Sequence, residues 1–243
     1  LYAACGEAGV RVFDIAFIDD KAFSERITSA PVSPVGQKFY LPTRYATFVA
    51  APTTVAVDPT RTHNPANREQ NVHPLCGYLY RGDKYEGLIL AGAATTIDGN
   101  PVNNFLKREL IFNPEGLLTG AKHAIIVGHY VYVSCDAGLV VVDINEPLKP
   151  IVASVIGMPY LKDPKSVAVQ FRYAYVCDEE GIKVLDITDR AKPAPKALIR
   201  LPEAHNIYLA RTYAYVAAGH RGLVILDITK AEAPRLERVF TAD

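Results

Sequence analysis

The chain has 243 residues, 49% hydrophobic and 21% charged, a composition that fits a folded protein and argues against a disordered one. Its 26 basic and 26 acidic residues cancel, which removes any broad electrostatic reason to expect nucleic acid or an anionic membrane as partner. The longest apolar runs, GLVVVDI and AIIVG, fall far short of the roughly 20 residues that a membrane-spanning helix needs.

In chain order, the first predicted element is LYAACGEAGVRVFDI from Leu1, two strand-like runs around Gly9. It opens with neither an initiator Met nor the basic and apolar regions of a signal peptide, so the sequence reads as a fragment or a processed product. The region Ala16 to Pro74 then breaks the pattern with Pro, Asn, Thr and Arg. A second unit, YLYRGDKYEGLILAG, starts at Tyr78, and a second aperiodic region runs from Ala91 to Gly120. Three clear copies of one unit follow: YVYVSCDAGLVVVDIN from Tyr130, YAYVCDEEGIKVLDIT from Tyr173 and YAYVAAGHRGLVILDIT from Tyr213. Their shared glycines, Gly9, Gly87, Gly138, Gly181 and Gly222, are spaced by 78, 51, 43 and 41 residues, and the last two spacings are the bare period.

Within the clearest unit, Pro164 to Pro202, the runs SVAVQF, YAYVCD, IKVLDI and KALIRL are rich in β-branched and aromatic residues. EEG between the second and third runs suits a hairpin, and a Pro-containing loop, TDRAKPAP, joins the third to the fourth. Four antiparallel strands per period make one β-propeller blade. The apolar faces on both sides of Tyr-Ala-Tyr-Val are those expected where blade packs on blade. The expected fold is therefore all-β: a β-propeller of four-stranded antiparallel blades, about five blade equivalents in a single domain over 1–243, with insertions at about 16–74 and 91–120. Inner strands are predicted at Ala124 to Val127, Ser166 to Gln170 and Asn206 to Leu209. Because Leu1 already lies in the second strand of its unit, the first blade lacks an inner strand, and closing the ring is expected to require strands from elsewhere.

The motifs GLVVVDIN at Gly138, GIKVLDIT at Gly181 and GLVILDIT at Gly222, each preceded by YxYV, resemble the LVIVD repeat family of β-propellers. The resemblance is strong from Leu117 to Asp243 and looser before it. It implies the propeller fold and a setting outside the cytoplasm, extracellular or at the cell surface, but no reaction. Members occur near surface redox proteins, which makes a multihaem cytochrome one implied partner and the rest of its own propeller another.

Candidate site residues fall into four groups. Gly138, Gly181 and Gly222 are expected to take positive φ in hairpins, and the repeated Asp143, Asp186 and Asp227 (with Asp14) to accept backbone N–H groups at strand ends. His123 and His205 are predicted to occupy matching places at the start of inner strands, near the central channel, where imidazoles are weak candidates for metal or haem contact. The insertion around DPTRTHNPANREQNVHPLCGYLY adds His63 and His73 as further weak metal candidates and Thr60, Arg61, His63, Asn64 and Arg68 as the expected partner-binding segment. Cys5, Cys76, Cys135 and Cys177 match no CxxC or CxxCH spacing and read as small buried hydrophobes, with disulfides, which their even number allows, as the alternative. There is no GxSxG elbow, phosphate-cradling loop or HExxH. The expected function is a non-catalytic binding or scaffolding module without a cofactor. An accessory part of an extracellular electron-transfer assembly and an enzyme with a site in the propeller channel are the alternatives.

Overall fold

The computed structural model describes residues 1–12, 40–52, 77–93 and 106–241, which form five antiparallel sheets. The first sheet has three strands: β1 (Tyr2–Ala4), β2 (Val10–Val12) and β3 (Tyr40–Leu41). Each of the others is a four-stranded meander: β4 (Ala46–Ala50) to β7 (Lys107–Phe112) by way of β5 (Tyr78–Asp83) and β6 (Gly87–Gly92), then β8 (His123–Val127), β9 (Tyr130–Cys135), β10 (Gly138–Asp143) and β11 (Ile151–Ile156). The fourth comprises β12 (Ser166–Gln170), β13 (Tyr173–Cys177), β14 (Gly181–Asp186) and β15 (Ala194–Arg200), and the fifth β16 (Asn206–Ala210), β17 (Tyr213–Ala217), β18 (Leu223–Asp227) and β19 (Arg235–Phe240). The predicted inner strands are β8, β12 and β16.

The chain divides into two compact units, Leu1–Gly120 with Ile144–Pro150, and Ala121–Asp143 with Ile151–Asp243. In the first unit the core gathers Leu41, Leu79, Ala91, Ala93 and Leu106, with Tyr2, Val12 and Val49 packed against them. In the second, the period of two sends alternate residues of each strand to opposite faces, and both faces of the fourth sheet are apolar. One face, with Val167, Ala174, Val176 and Leu185, shares a core with Tyr132, Leu139 and Val141 of the third sheet. The opposite face, with Ala168, Tyr175, Cys177, Ile182 and Val184, shares one with Ile207, Ala214, Val216, Val224 and Leu226 of the fifth. Each valine, leucine or isoleucine among them, once fully buried, contributes about 1.5–3 kcal/mol, so face-to-face stacking is a main source of cohesion here.

The third-strand glycines mark close backbone approach. Gly181 has φ of 142°, and a Cβ placed on it would stand 2.1 Å from the Ile199 carbonyl oxygen and 2.5 Å from the Leu201 nitrogen. Gly138 repeats this against Ile156. Pairing between third and fourth strands slips at the same place in all four meanders, at Leu90/Ala91, Val141/Val142, Val184/Leu185 and Ile225/Leu226.

The boundaries of the two expected insertions need correction. Strands β3 and β4 lie inside 16–74, and the end of β6 and all of β7 inside 91–120. First and fourth strands carry neither the YxYV nor the glycine signature, so they do not stand out as repeat. Cys135 and Cys177 are buried and Cys5 partly so, all three unbridged, while Cys76 lies outside the described residues. Among the described residues no helix is long and apolar enough to cross a membrane.

Candidate functional site

Thr60, Arg61, His63, Asn64, Arg68 and His73 lie outside the described residues, as does Asp14. The two remaining histidines do not match. His123 pairs with Ser134, Ser166 with Cys177 and Asn206 with Ala217, so His123, Ser166 and Asn206 are equivalent. His205 stands one residue earlier, where Lys122, Lys165 and His205 each donate a backbone N–H to the neighbouring strand at 2.8 Å. A slip of one residue moves a side chain to the opposite face, and His205 is exposed, whereas His123 accepts a hydrogen bond from the Val167 N–H at 3.4 Å. Burial pushes the His123 imidazole below its ordinary value, towards the neutral form. Among the described residues no three His, Cys, Asp or Glu side chains gather closely enough to hold a metal ion.

The repeated aspartates shape loops. Asp186 Oδ1 accepts the Thr188 N–H at 2.9 Å and its hydroxyl at 2.6 Å, and Asp227 Oδ1 accepts the Thr229 N–H at 2.8 Å. These bonds from Thr188 and Thr229 hold both carboxyls below the usual range. Gly138, Gly181 and Gly222 have φ of 126°, 142° and 75°.

A second set of aspartates carries more of the structure and was not singled out from the sequence. Asp178, completely buried in the β13–β14 hairpin, receives the N–H groups of Glu180 and Gly181 on Oδ1 and that of Lys162 on Oδ2. Asp83 does the same in the β5–β6 hairpin: Oδ1 takes Tyr85 and Glu86, and Oδ2 takes Tyr45. Each carboxylate thus clamps its hairpin to the segment leading into the blade's first strand. In the fourth blade the clamp also holds a buried cation. Lys183 Nζ lies 2.8 Å from Asp178 and 2.7 Å from Glu180, donates to the Tyr160 carbonyl and sits over the Tyr160 ring. Burial pulls the Lys183 ammonium down, but its bonds to Asp178 and Glu180 outweigh this and the net direction is up.

Glu180, bonded first by Lys183 and then by Lys162, is held at about 2, below its ordinary 4.5. Its contribution to stability is complete above pH 4.5 and is lost as the pH falls through about 2. The melting temperature is therefore expected to drop over that interval and Glu180→Gln to flatten the drop. An acid profile identical in the variant would remove Glu180 from the network.

In the first unit the buried Arg81 guanidinium finds no hydrogen-bond partner among the described residues, and burial, then Arg108, lowers it to about 9.

A surface groove wide enough for a ligand lies between the fourth and fifth blades. A groove of about 640 Å³ runs between the β12–β13 turn, the β16–β17 turn and the loop after β18. Its rim carries Arg172, Arg211 and Lys230 against one carboxylate, Glu232, which is already engaged by the Tyr173 hydroxyl at 3.0 Å and by Lys196 at 3.5 Å. Arg172 bonds the same hydroxyl at 2.8 Å and lies over the Tyr173 ring. Gln170 Nε2 donates to the Arg211 carbonyl and ties the two turns together. Phe171 stands on this rim 89% exposed, with φ of 54°. The equivalent positions, two residues before each YxYV, hold Gly128 and Arg211, also at positive φ.

Stacked four-stranded meanders with apolar faces define the class: the chain is a β-propeller protein built of four-stranded antiparallel blades. Within that class, residues 120–155, 163–197 and 203–238 match the LVIVD repeat in three consecutive copies. No curated protein matches the sequence. Among solved structures, the chain is similar to PorZ of Porphyromonas gingivalis, an essential bacterial surface component of the type-IX secretion system. The identity is 17% and the TM-score 0.53, over 100% of this chain and 25% of that one. It is also similar to a functionally unknown protein from Desulfotomaculum acetoxidans, at 11% identity and TM-score 0.60, over 98% of this chain and 67% of that one. A third is the computationally designed Ika8 protein, at 14% identity and TM-score 0.53, over 98% and 70%. The chain thus spans a quarter of the PorZ chain, and at these identities the likeness is one of fold.

Proposed function

We propose that the chain is a non-catalytic binding module that holds a protein partner across the groove between its fourth and fifth blades, in an assembly outside the cytoplasm. The observation that carries this reading is Phe171. A large aromatic side chain is presented to solvent from a backbone conformation that costs a non-glycine residue about 1–3 kcal/mol, at a position where the third blade uses glycine. Nothing in the packing of the fourth blade requires that side chain, so its role lies with a neighbour. The cationic rim supports a partner with an acidic surface around an apolar anchor. The setting rests on the LVIVD resemblance, and a surface component such as PorZ is consistent with it.

Phe171→Gly tests the reading because a structural and a binding role give opposite results. The expected outcome is an unchanged or slightly raised melting temperature together with at least a tenfold loss of affinity, about 1.4 kcal/mol, for the protein recovered by photo-crosslinking from position 171 in the native cell. A destabilised variant would make Phe171 structural. Undiminished affinity, or crosslinking no greater than from the exposed Ile151, would move the contact elsewhere.

A further inference from the structure

The junction between the third and fourth blades and that between the fourth and fifth share one register, but only the first is plugged. Tyr130 and Tyr132 pair with Asp143 and Val141, and Tyr173 and Tyr175 with Asp186 and Val184, so the two tyrosine pairs are equivalent. The loops that follow the third strands of the fourth and fifth blades, 187–193 and 228–234, have the same length. Each is folded by the same bond, from the Lys192 N–H to the Asp189 carbonyl and from the Ala233 N–H to the Lys230 carbonyl. At the first junction Arg190, fourth in its loop, lays its guanidinium 5.0 Å from the centre of the Tyr130 ring. Burial pushes the Tyr132 hydroxyl up, and the charge of Arg190 beside it pulls the other way. Ser154 latches this loop by donating its hydroxyl to the Arg190 carbonyl at 2.8 Å.

At the second junction plug and latch are both missing: Ala231 stands in the place of Arg190, and Ala197 in the register of Ser154. The groove of about 640 Å³ is what remains. Tyr175 lines it with a side chain only 1% exposed, and among the described residues nothing hydrogen-bonds its hydroxyl. Burial, then Tyr173, pushes that hydroxyl up to about 12, with no cation pulling back, so it stays a hydrogen-bonding phenol. Arg172 lies over the Tyr173 ring but reaches the Tyr173 hydroxyl and leaves that of Tyr175 uncovered. The next loop position has changed in the complementary sense. Glu232 stands where the fourth blade has Ala191, and its carboxylate accepts from the Tyr173 hydroxyl at the groove wall.

The loop has thus lost a cation and gained a carboxylate. We infer that the groove seats one arginine side chain of the protein partner in the place that Arg190 fills one junction earlier, its guanidinium between the Tyr175 hydroxyl and the Glu232 carboxylate. Arginine suits the place better than lysine because its flat, weakly hydrated fork can pair with a carboxylate and lie along a tyrosine ring at once. Arg172, Arg211 and Lys230 on the rim repel a basic stretch, so the arginine is a single one flanked by acidic residues, in keeping with a partner of acidic surface. Ala231 is then the residue that keeps the seat open.

The seat rests on the reading of the groove as the place where a partner is held, but it names a contact separate from Phe171. The test titrates the full chain, with isotope-labelled tyrosine rings, with the blocked peptide Leu-Asp-Arg-Asp and with the same peptide carrying neutral citrulline for arginine. The Tyr173 and Tyr175 signals are expected to move with the arginine peptide, and the citrulline peptide to bind at least about tenfold more weakly. Ala231→Arg, which restores the plug from within the chain, should abolish those shifts without lowering the melting temperature. Glu232→Gln should weaken the arginine peptide alone. Equal affinity for the two peptides, shifts with neither, or undiminished binding by Ala231→Arg would overturn the arginine seat. The native partner separates the two readings. If it is lost with Phe171→Gly but kept by Ala231→Arg, the groove reading stands and the seat falls; if both variants keep it, both fall.

Discussion

Asp178→Ala is expected to lower stability by about 3–5 kcal/mol, the cost of breaking a buried ion pair from one side. The substitution leaves the N–H groups of Glu180, Gly181 and Lys162 without their acceptor and removes one of the two carboxylates facing the Lys183 ammonium. The opposite substitution is milder. In Lys183→Val the Asp178 carboxylate keeps its three N–H donors, and valine is what the third and fifth blades place in that register, at Val140 and Val224. Urea unfolding of the two variants should therefore separate them by more than 1 kcal/mol, roughly the worth of a single hydrogen bond. Equal losses would mean that the cation, and not the clamp on the backbone, holds the hairpin.

Gly181→Val is expected to be as damaging, at about 4 kcal/mol, within the range reserved for mutations with a specific steric cause. Positive φ accounts for about 1–3 kcal/mol of this, and the rest comes from a Cβ pressed against backbone atoms of Ile199 and Leu201 that cannot rotate away. Since the collision begins at Cβ, Gly181→Ala should lose nearly as much as valine. Gly128 provides the control: its φ is 60°, but a Cβ there meets nothing within 4 Å, so Gly128→Ala should cost only about 1 kcal/mol. Thermal melts in which Gly181→Ala and Gly128→Ala coincide would rule out the close approach.

The second and third strands of each blade were legible because their chemistry repeats: YxYV fills two apolar faces at once, the glycine admits a neighbouring backbone, and Asp-Ile-Thr closes the strand with a side-chain bond. First and fourth strands have no such obligation. Strand β7, KRELIF, reads as an amphipathic surface segment, and β4 lacks a glycine, which is why 16–74 and 91–120 looked longer as excursions than they are. The match of His123 to His205 failed by one residue because runs of alternating small apolar residues look alike in either register until the hydrogen bonds are known. Asp178 carried a signal that went unread. A lysine at 183, where the other two repeats have valine, needs a buried anion, and three acids, Asp178, Glu179 and Glu180, stand in the hairpin just before it. Phe171 was visible in the same way, as an aromatic where the sister turns have Gly128 and Arg211.

The slipped pairing between third and fourth strands, present in all four meanders, bears on how these sheets avoid one another. An outermost strand offers a row of free N–H and C=O groups on which another chain can grow, and an extra residue that bends and twists the strand spoils that template. Strands β7, β15 and β19 add charge to the bend through Lys107, Lys196 and Arg235 among others, whereas β11 is Ile-Val-Ala-Ser-Val-Ile, with Ile151 68% and Val155 44% exposed, and has the bend alone. Lateral polymerisation, if conditions ever drive it, should therefore start at β11, and a lysine at Val155 would be the simplest guard against it.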